Sequence, residues 1–350
     1  MDACLYTPGL GYYSAGASKF GGAGDFITAP ELGPLFGRCL ARQCEQVLAR
    51  LGGGDILELG AGSGRLAVDL LLALEAAGSL PGRYLILETS ADLRERQQQC
   101  IEGLIPHLST RVAWLERPPR GVTGVILANE VLDALPVDCF RVRDGEVLAR
   151  NVALGNAGLG WCEQANSDLA RRIQALTALA GISLPEEYCG EVSSRLPGWL
   201  ETVSSGLERG VLLLFDYGGS RTEVWHPERG AGSLRCYYRH RLHEDPFFLP
   251  GLQDITSDVD FTVVAEAGEA LGLALAGYVT QAHGLLNLGI EDILQQAMQE
   301  QPDAAPHWAE QARSLMLPGE MGERFKLMAL SRALDFELLA FQAFDRRHAL

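Results

Sequence analysis

The eight cysteines of this 350-residue chain show no pairing pattern. Cys4, Cys39, Cys44, Cys100, Cys139, Cys162, Cys189 and Cys236 are scattered. No C-x-x-C occurs, and no His/Cys grouping has zinc-site spacing, so no metal site is expected. They read as reduced thiols of an intracellular protein. Long apolar runs are also missing. The longest are strand-sized, which excludes a helical membrane span. The opening residues, MDACLYTPGLGYY, have neither a signal-peptide layout nor an Arg-rich amphipathic presequence. A cytoplasmic, bacterial-type protein is the expectation, with no mitochondrial presequence visible. Basic residues are in deficit, 29 against 45 acidic, for a net charge of −16. Such a surface repels nucleic-acid phosphates and anionic lipid and weakly favours basic partners. There is no internal repeat and no low-complexity tract. Hydrophobic residues make up 47%, which excludes extended disorder. The length allows one large domain or two small ones.

What the chain does have is Asp55 to Leu72, DILELGAGSGRLAVDLLL. Ile56, Leu57 and Leu59 supply a buried strand. Gly60-Ala61-Gly62-Ser63-Gly64 makes a turn, and Leu66, Leu70 and Leu74 share one helix face. Glycines at such a turn let backbone approach a ligand that a Cβ would exclude. The helix start adds free N–H groups and partial positive charge. The spacing selects the ligand. Arg65 follows Gly64, so the glycines read G-x-G-x-G and not the dinucleotide G-x-G-x-x-G. With Glu58 two residues ahead, E-x-G-x-G-x-G resembles motif I of the class I methyltransferases that use S-adenosylmethionine (SAM). A second apolar run, Tyr84 to Leu87, ends in Glu88, at the distance of a ribose-binding carboxylate.

Before this stretch, residues 1–36 are rich in glycine, aromatics and turn signals, among them Gly21-Gly22 and Gly24-Asp25. Pro30 and Pro34 interrupt any helix over FITAPELGPLFG. A helix starts near Pro34 and runs through Leu48 with Leu40, Cys44 and Val47 inward. After it come strand 54–59, helix 63–77, strand 83–88, helix 91–104 with Ser90 as N-cap, strand 111–115 and strand 124–128. Alternating units of this size imply a doubly wound, mostly parallel α/β sheet with ligands at the carboxyl strand ends. The fourth strand ends in Asn129-Glu130-Val131-Leu132-Asp133. Glu130 and Asp133 are three apart, so the spacing predicts one helical face. They face the place where the SAM methyl should lie.

Residues 138–206 break the alternation and read as an inserted substrate lid. It has a hairpin at Asp144-Gly145, a helix around Asp168–Leu179 and another near Pro197-Trp199. Strand 211–215 resumes the core and ends in Asp216-Tyr217. Residues 220–262 lack periodicity and read as an irregular loop over a cleft. His240 and His243 have no third ligand at sensible spacing. Helix 262–271, an antiparallel pair at 273–280 and 325–330, helical segments 290–300 and 306–316, and an amphipathic helix 332–347 complete the expectation. The division is a cap and lead-in helix over residues 1–53 and a methyltransferase domain over 54–350.

The strings TPGLGYYS, GDFITAPELGPLFG, LELGAGSGRLA, NEVLDALPV, FDYGG, GSLRCYYRHR, DITSDVDFT, TQAHGLLNLGI and LMLPGEMGERFKLMALSR together resemble the MidA family of SAM-dependent methyltransferases. The likeness spans roughly residues 5–331. This family includes the mitochondrial protein-arginine methyltransferase that assists respiratory complex I assembly. The resemblance implies a class I, seven-stranded methyltransferase fold. SAM is then the cofactor and S-adenosylhomocysteine (SAH) the product, with Glu58, Gly60, Ala61, Gly62, Gly64 and Glu88 around it. Asn129, Glu130 and Asp133 map to its N-E-x-x-D-A-L-P motif. Family members often carry two aromatics where this chain has Val131-Leu132, which alters the acceptor pocket. The resemblance also implies a helix ahead of the first string, and this sequence starts almost at that string.

The expected reaction is methyl transfer to a nitrogen of an arginine in a partner protein, with a respiratory complex I subunit as the candidate substrate. A guanidinium is cationic and a poor nucleophile. Glu130 and Asp133 could pair with it, localise its charge and aim one nitrogen at the methyl, with Asp216 and Tyr217 as weaker candidates. The rivals are a non-enzymatic SAM-binding assembly factor and a small-molecule methyltransferase. A nicotinamide dehydrogenase is disfavoured by Arg65. Neither nucleic acid nor a membrane is expected as partner, and a homodimer is compatible with the sequence.

Overall fold

The structure is a computed structural model that describes residues 1–14, 28–156 and 158–350. The glycines at 21, 22 and 24 lie outside the described residues. The order begins with α1 (Asp2–Tyr6), α2 (Ala29–Leu32), α3 (Leu35–Leu51), β1 (Asp55–Leu59), α4 (Arg65–Ala76), β2 (Tyr84–Leu87) and α5 (Ala91–Leu104). It continues with β3 (Val112–Leu115), β4 (Val122–Asn129), β5 (Asp138–Arg143), β6 (Glu146–Gly155), β7 (Gly158–Ala165), α6 (Ser167–Ala180), β8 (Cys189–Val192) and α7 (Leu196–Ser204). Then come β9 (Leu207–Gly219), α8 (Arg221–Val224), β10 (Arg235–Tyr238), β11 (Arg241–His243), β12 (Asp254–Thr256), β13 (Val259–Asp260) and α9 (Phe261–Ala270). The last are β14 (Ala274–Thr280), α10 (Gln281–Asn287), α11 (Ile290–Glu300), α12 (Ala305–Met316) and β15 (Phe325–Arg332).

The central sheet runs β14-β15-β9-β4-β1-β2-β3, with β13 beside the end of β9. β9, β4, β1, β2 and β3 are parallel, and β15 is antiparallel to both neighbours. Both faces are buried, and successive side chains sort between them. Val211, Leu213 and Phe215 join the layer of α3 and α4, while Leu212 and Leu214 join the opposite layer with Leu200 of α7 and Val264 of α9. This is the expected doubly wound α/β architecture. The strand order brings the carboxyl ends of β1, β2, β4 and β9 to one edge. Because β15 runs the other way, its first residues reach that same edge.

Two smaller sheets flank the centre. The inserted sheet is β7-β6-β5-β8, with α6 packed on it and its own small core around Phe140, Ile173 and Trp225. The expected Asp144-Gly145 turn joins β5 and β6. α7 packs on the central sheet through Leu196, Leu200 and Val203. The second small sheet, β11-β10-β12, lies in the stretch read as irregular. Its strands are three or four residues long, too short to show alternation, which is why periodicity missed them. α1 packs against it: Leu5 and Tyr12 are buried with Cys236 and Ile255.

The amphipathic helix expected over 332–347 is absent. Only short 3-10 turns form there, at Leu339–Phe341 and Arg347–Ala349. Side chains from other helices take its backbone groups. Gln46 and Gln43 accept the N–H groups of Leu339 and Ala340, each at 3.0 Å. Asn287 donates to the carbonyls of Ala340 and Ala343. Leu338, Ala340 and Phe341 are still buried, but in an extended strap.

Candidate active site

A cavity of about 650 Å³ opens at the carboxyl edge of the central sheet. Two halves can be told apart by the elements that build them.

The first half follows β1 and β2. Gly60 and Gly62 have φ of 63° and 54°, left-handed values that glycine adopts without the Cβ clash. Gly60, Ala61 and Gly62 line the cavity. Gly64, at φ 85°, caps α4, and a Cβ there would meet Gln97. Its role is close packing of two helices. Glu58 is buried at the end of β1 and accepts the Tyr84 hydroxyl at 2.7 Å. Burial raises its carboxyl to about 7, with repulsion from Glu88 added. Glu88 accepts from the Ser90 N–H at 2.8 Å and from Gln97 Nε2 at 3.1 Å. The same Gln97 nitrogen donates to the Gly62 carbonyl, and Gln97 Oε1 accepts from Trp114 Nε1 at 2.9 Å. Gln97 thus ties the glycine turn to Glu88. Sequence reading missed it, because one glutamine in a helix carries no signal.

The second half begins where β4 ends. Glu130 is forced to φ 53°, a left-handed conformation that costs a non-glycine residue stability. What holds it is Asp216. One of its carboxylate oxygens accepts the N–H groups of Val131, Leu132 and Asp133 at 2.8 to 3.2 Å. This corrects the expected helical face: residues 130–133 form a turn wound around a buried carboxylate. Asp216 does not line the cavity; its part is to position that turn.

Asn129, Glu130 and Asp133 all line the cavity. Asn129 donates to Glu130 at 3.2 Å, and Glu130 also accepts from the Ala29 backbone. Tyr217 donates to Asp133 Oδ2 at 2.6 Å. Asn129 Oδ1 and Asp133 Oδ1 are buried and have no hydrogen-bond partner among the described residues. Burial lifts the Glu130 carboxyl to about 8, with the Asp133 charge second. Burial likewise lifts Asp133 to about 6 against the Tyr217 hydrogen bond. Asp216 is raised well above the carboxylate range by burial and by Asp133 and Glu130. Tyr6, Tyr13, Tyr237, Asp254 and Arg324 complete this half. Arg324 lies over the Tyr217 ring at 5.0 Å and shares a hydrogen bond with Tyr237. None of these five was marked by spacing or periodicity.

A cofactor that is cationic at its amino acid end and carries a ribose fits the first half. Two buried carboxylates flank a turn whose backbone can approach a ligand closely. The family described as "Putative S-adenosyl-L-methionine-dependent methyltransferase" matches residues 39–279. The chain belongs to that family. It is therefore a SAM-dependent methyltransferase, and SAM is its cofactor. A crystal structure of a "likely methyl transferase" from Burkholderia thailandensis, bound to S-adenosyl-homocysteine, is similar over the whole chain. Its TM-score is 0.94 at 41% identity, with 90% of that protein covered. Among curated proteins, the mitochondrial protein arginine methyltransferase NDUFAF7 homolog of Drosophila melanogaster is 30% identical over 94% of this chain and 80% of its own length. The NDUFAF7 protein arginine methyltransferase of Mus musculus is 28% identical over 94% of this chain and 79% of its own. This methyltransferase has no helix long and apolar enough to cross a membrane among its described residues.

Proposed function

We propose that this methyltransferase acts on an arginine of a partner protein. The observation that carries the reading is a pair of buried acceptor oxygens in the second half of the cavity. Asn129 Oδ1 and Asp133 Oδ1 are buried and unpaired among the described residues, next to the Glu130 carboxyl. A guanidinium has five N–H donors and no acceptor, so it complements such a surface. The arginine methyltransferases among the relatives support the same substrate class.

Gly60, Ala61 and Gly62 would hold the cofactor through close backbone approach, Glu58 its cationic amino acid end, and Glu88 its ribose. When bound, SAM supplies an electrophilic methyl on a sulfonium. Asp133, oriented by Tyr217, and Glu130, held at its left-handed turn, pair with the guanidinium and leave one nitrogen directed at that methyl. Asn129 offers a further acceptor through Oδ1. The proton lost from the attacking nitrogen can pass to Glu130, whose carboxyl burial lifts to about 8. The insertion over 138–206 is read as the substrate lid within the division at residue 53. A complex I subunit as substrate, a cytoplasmic location consistent with eight free cysteines, a homodimer and no nucleic-acid partner belong to the same reading.

The test is transfer of labelled methyl from SAM to proteins of a lysate, with mass spectrometry of arginine methylation in cells with and without the gene product. Label appearing on arginine, and lost with the gene, is the expected result. Label confined to small molecules would favour a small-molecule methyltransferase. No transfer, despite SAM binding, would favour an assembly factor.

A further inference from the structure

The strands that end the sheets of this molecule are treated differently. β14 closes the central sheet and is covered by the strap after β15. The Tyr278 N–H donates to Asp345 at 3.3 Å, the Tyr278 carbonyl accepts the Arg346 N–H at 2.7 Å, and Arg347 donates to the Leu275 carbonyl at 3.2 Å. β8, at one side of the inserted sheet, is short, and its Cys189 N–H donates to the Gly230 carbonyl at 2.8 Å. β7, at the other side, is eight residues long. Among the described residues its backbone bonds only to β6, in a ladder without a register shift. None of its residues is buried. Exposed edges are normally blunted by proline, by charge or by a bulge. β7 has no proline, lysine or arginine. Its one charged residue, Glu163, is held by Arg141 and Arg143 of the same sheet at 2.9 and 2.5 Å.

The ribbon that carries this edge is apolar on one face. Val152 stands opposite Trp161 and Leu154 opposite Leu159. Val152, Leu154 and Leu159 are 55%, 81% and 44% exposed. Residues 151–155 and 158–162 contain no charged side chain. A chain with a net charge of −16 repels a copy of itself across most of its surface. Contact between copies is least opposed where charge is missing. A partner that brings an arginine has no such restriction, because the acidic surface attracts it. Two identical edges that run antiparallel are related by a two-fold, so one strand serves both copies. We propose that two copies of this chain pair their β7 edges antiparallel, joining the two inserted sheets into one continuous sheet. Every second residue of the strand faces outward, so the seam carries about eight backbone hydrogen bonds, within the usual range for a specific interface. The inference rests on the homodimer of the reading above and deepens it by naming the seam. The two substrate lids then share one sheet.

The experiment follows the full-length protein by sedimentation velocity and by amide hydrogen exchange from about 1 to about 100 μM. Wild type should approach the mass of two chains at the upper end, and the outward amides of β7 should exchange more slowly there than at the lower end. The double variant Leu159→Lys with Gln164→Lys places two lysines on exposed positions of the edge. Its dimer dissociation constant should rise by at least about tenfold, while SAH affinity stays within about threefold. If that variant does not fold, the exchange of the wild-type β7 amides decides. An undiminished dimer in the folded variant, or β7 amides that exchange alike at both concentrations in a dimerising wild type, overturns the seam and leaves the homodimer standing. A wild type that stays monomeric throughout overturns the seam and the homodimer together, and leaves methyl transfer to arginine untouched.

Discussion

The two halves of the cavity are built in opposite ways. The cofactor half comes from one continuous run. Glu58, the glycine turn, Glu88 and Gln97 all lie within β1, α4, β2 and α5 and the turns between them. The acceptor half gathers Tyr6 and Tyr13, the 129–133 turn, Tyr217, Tyr237, Asp254 and Arg324 from six separate places. Short-range construction makes the first half a reusable unit, which suits a cofactor shared by many enzymes. Long-range construction lets the second half diverge, which suits an acceptor that differs between them. If the comparison is right, the halves should fail separately.

The largest effect is expected at the glycine turn. Gly62→Val puts a β-branched residue at φ 54°, where such residues are genuine outliers. SAM affinity should fall by more than about a hundredfold, measured by calorimetry, and NAD should bind neither protein. A folded Gly62→Val protein with ordinary SAM affinity would place the cofactor elsewhere.

Next in size is Asp133→Asn. It removes the charge, keeps the volume and keeps an acceptor for Tyr217. Turnover should fall about ten- to a hundredfold, from the loss of one charge-assisted contact. SAM affinity should move by less than about threefold. Single-turnover transfer beside calorimetry separates the two. Loss of SAM binding in a folded variant would merge the halves.

That same difference explains what could be read in the sequence. The strand-turn-helix of the cofactor half writes its periodicity and its glycines into adjacent residues, so Glu58, Gly60, Gly62 and Glu88 were all legible. Ser90 was legible as the N-cap of α5 because capping is also local. Glu130 and Asp133 were found by their place at a strand end. Their turn was misread as a helix because its cause, Asp216, lies far along the chain. Asp254 sits in a three-residue strand with no pattern of its own. The strap after β15 has helical apolar spacing, and only Gln43, Gln46 and Asn287 on distant helices make it something else.

A third effect is on stability against pH. Glu58, Asp133 and Glu130 are lifted by burial to about 7, 6 and 8, and Asp216 is raised as well. Each folded carboxyl holds a proton that the unfolded chain gives up near pH 4. Their contribution is therefore fully present below the unfolded pKa and is lost as pH rises through the folded values. The ligand-free enzyme should lose stability between pH 5 and pH 8, read from urea unfolding. Glu58→Gln should flatten the part of the curve up to about 7, and Glu130→Gln the part up to about 8. Acceptor binding has the opposite sign, since pairing needs ionised carboxylates, so affinity for an arginine peptide should rise over the same window. Stability that climbs from pH 5 to pH 8 would show these groups to be ionised in the folded protein.

The smallest effect is the sharpest test of separateness. Trp114 Nε1 donates to Gln97 Oε1, and Gln97 Nε2 holds both Glu88 and the Gly62 carbonyl. Trp114→Phe keeps the ring packed against the core and deletes one donor. Gln97 Oε1 is left without that partner, and the amide is free to turn over. A neutral hydrogen bond of this kind contributes about 1 kcal/mol, so SAM affinity should fall roughly three- to tenfold. None of these three hydrogen bonds involves a residue of the acceptor half. The KM for an arginine peptide at saturating SAM, and the pH dependence of its binding, should therefore stay as in wild type. Calorimetry for SAM and steady-state kinetics for the peptide read the two sides independently. A Trp114→Phe enzyme whose peptide KM rises along with its SAM Kd would mean that the glycine turn and the acceptor carboxylates move together, and that the cavity works as one unit.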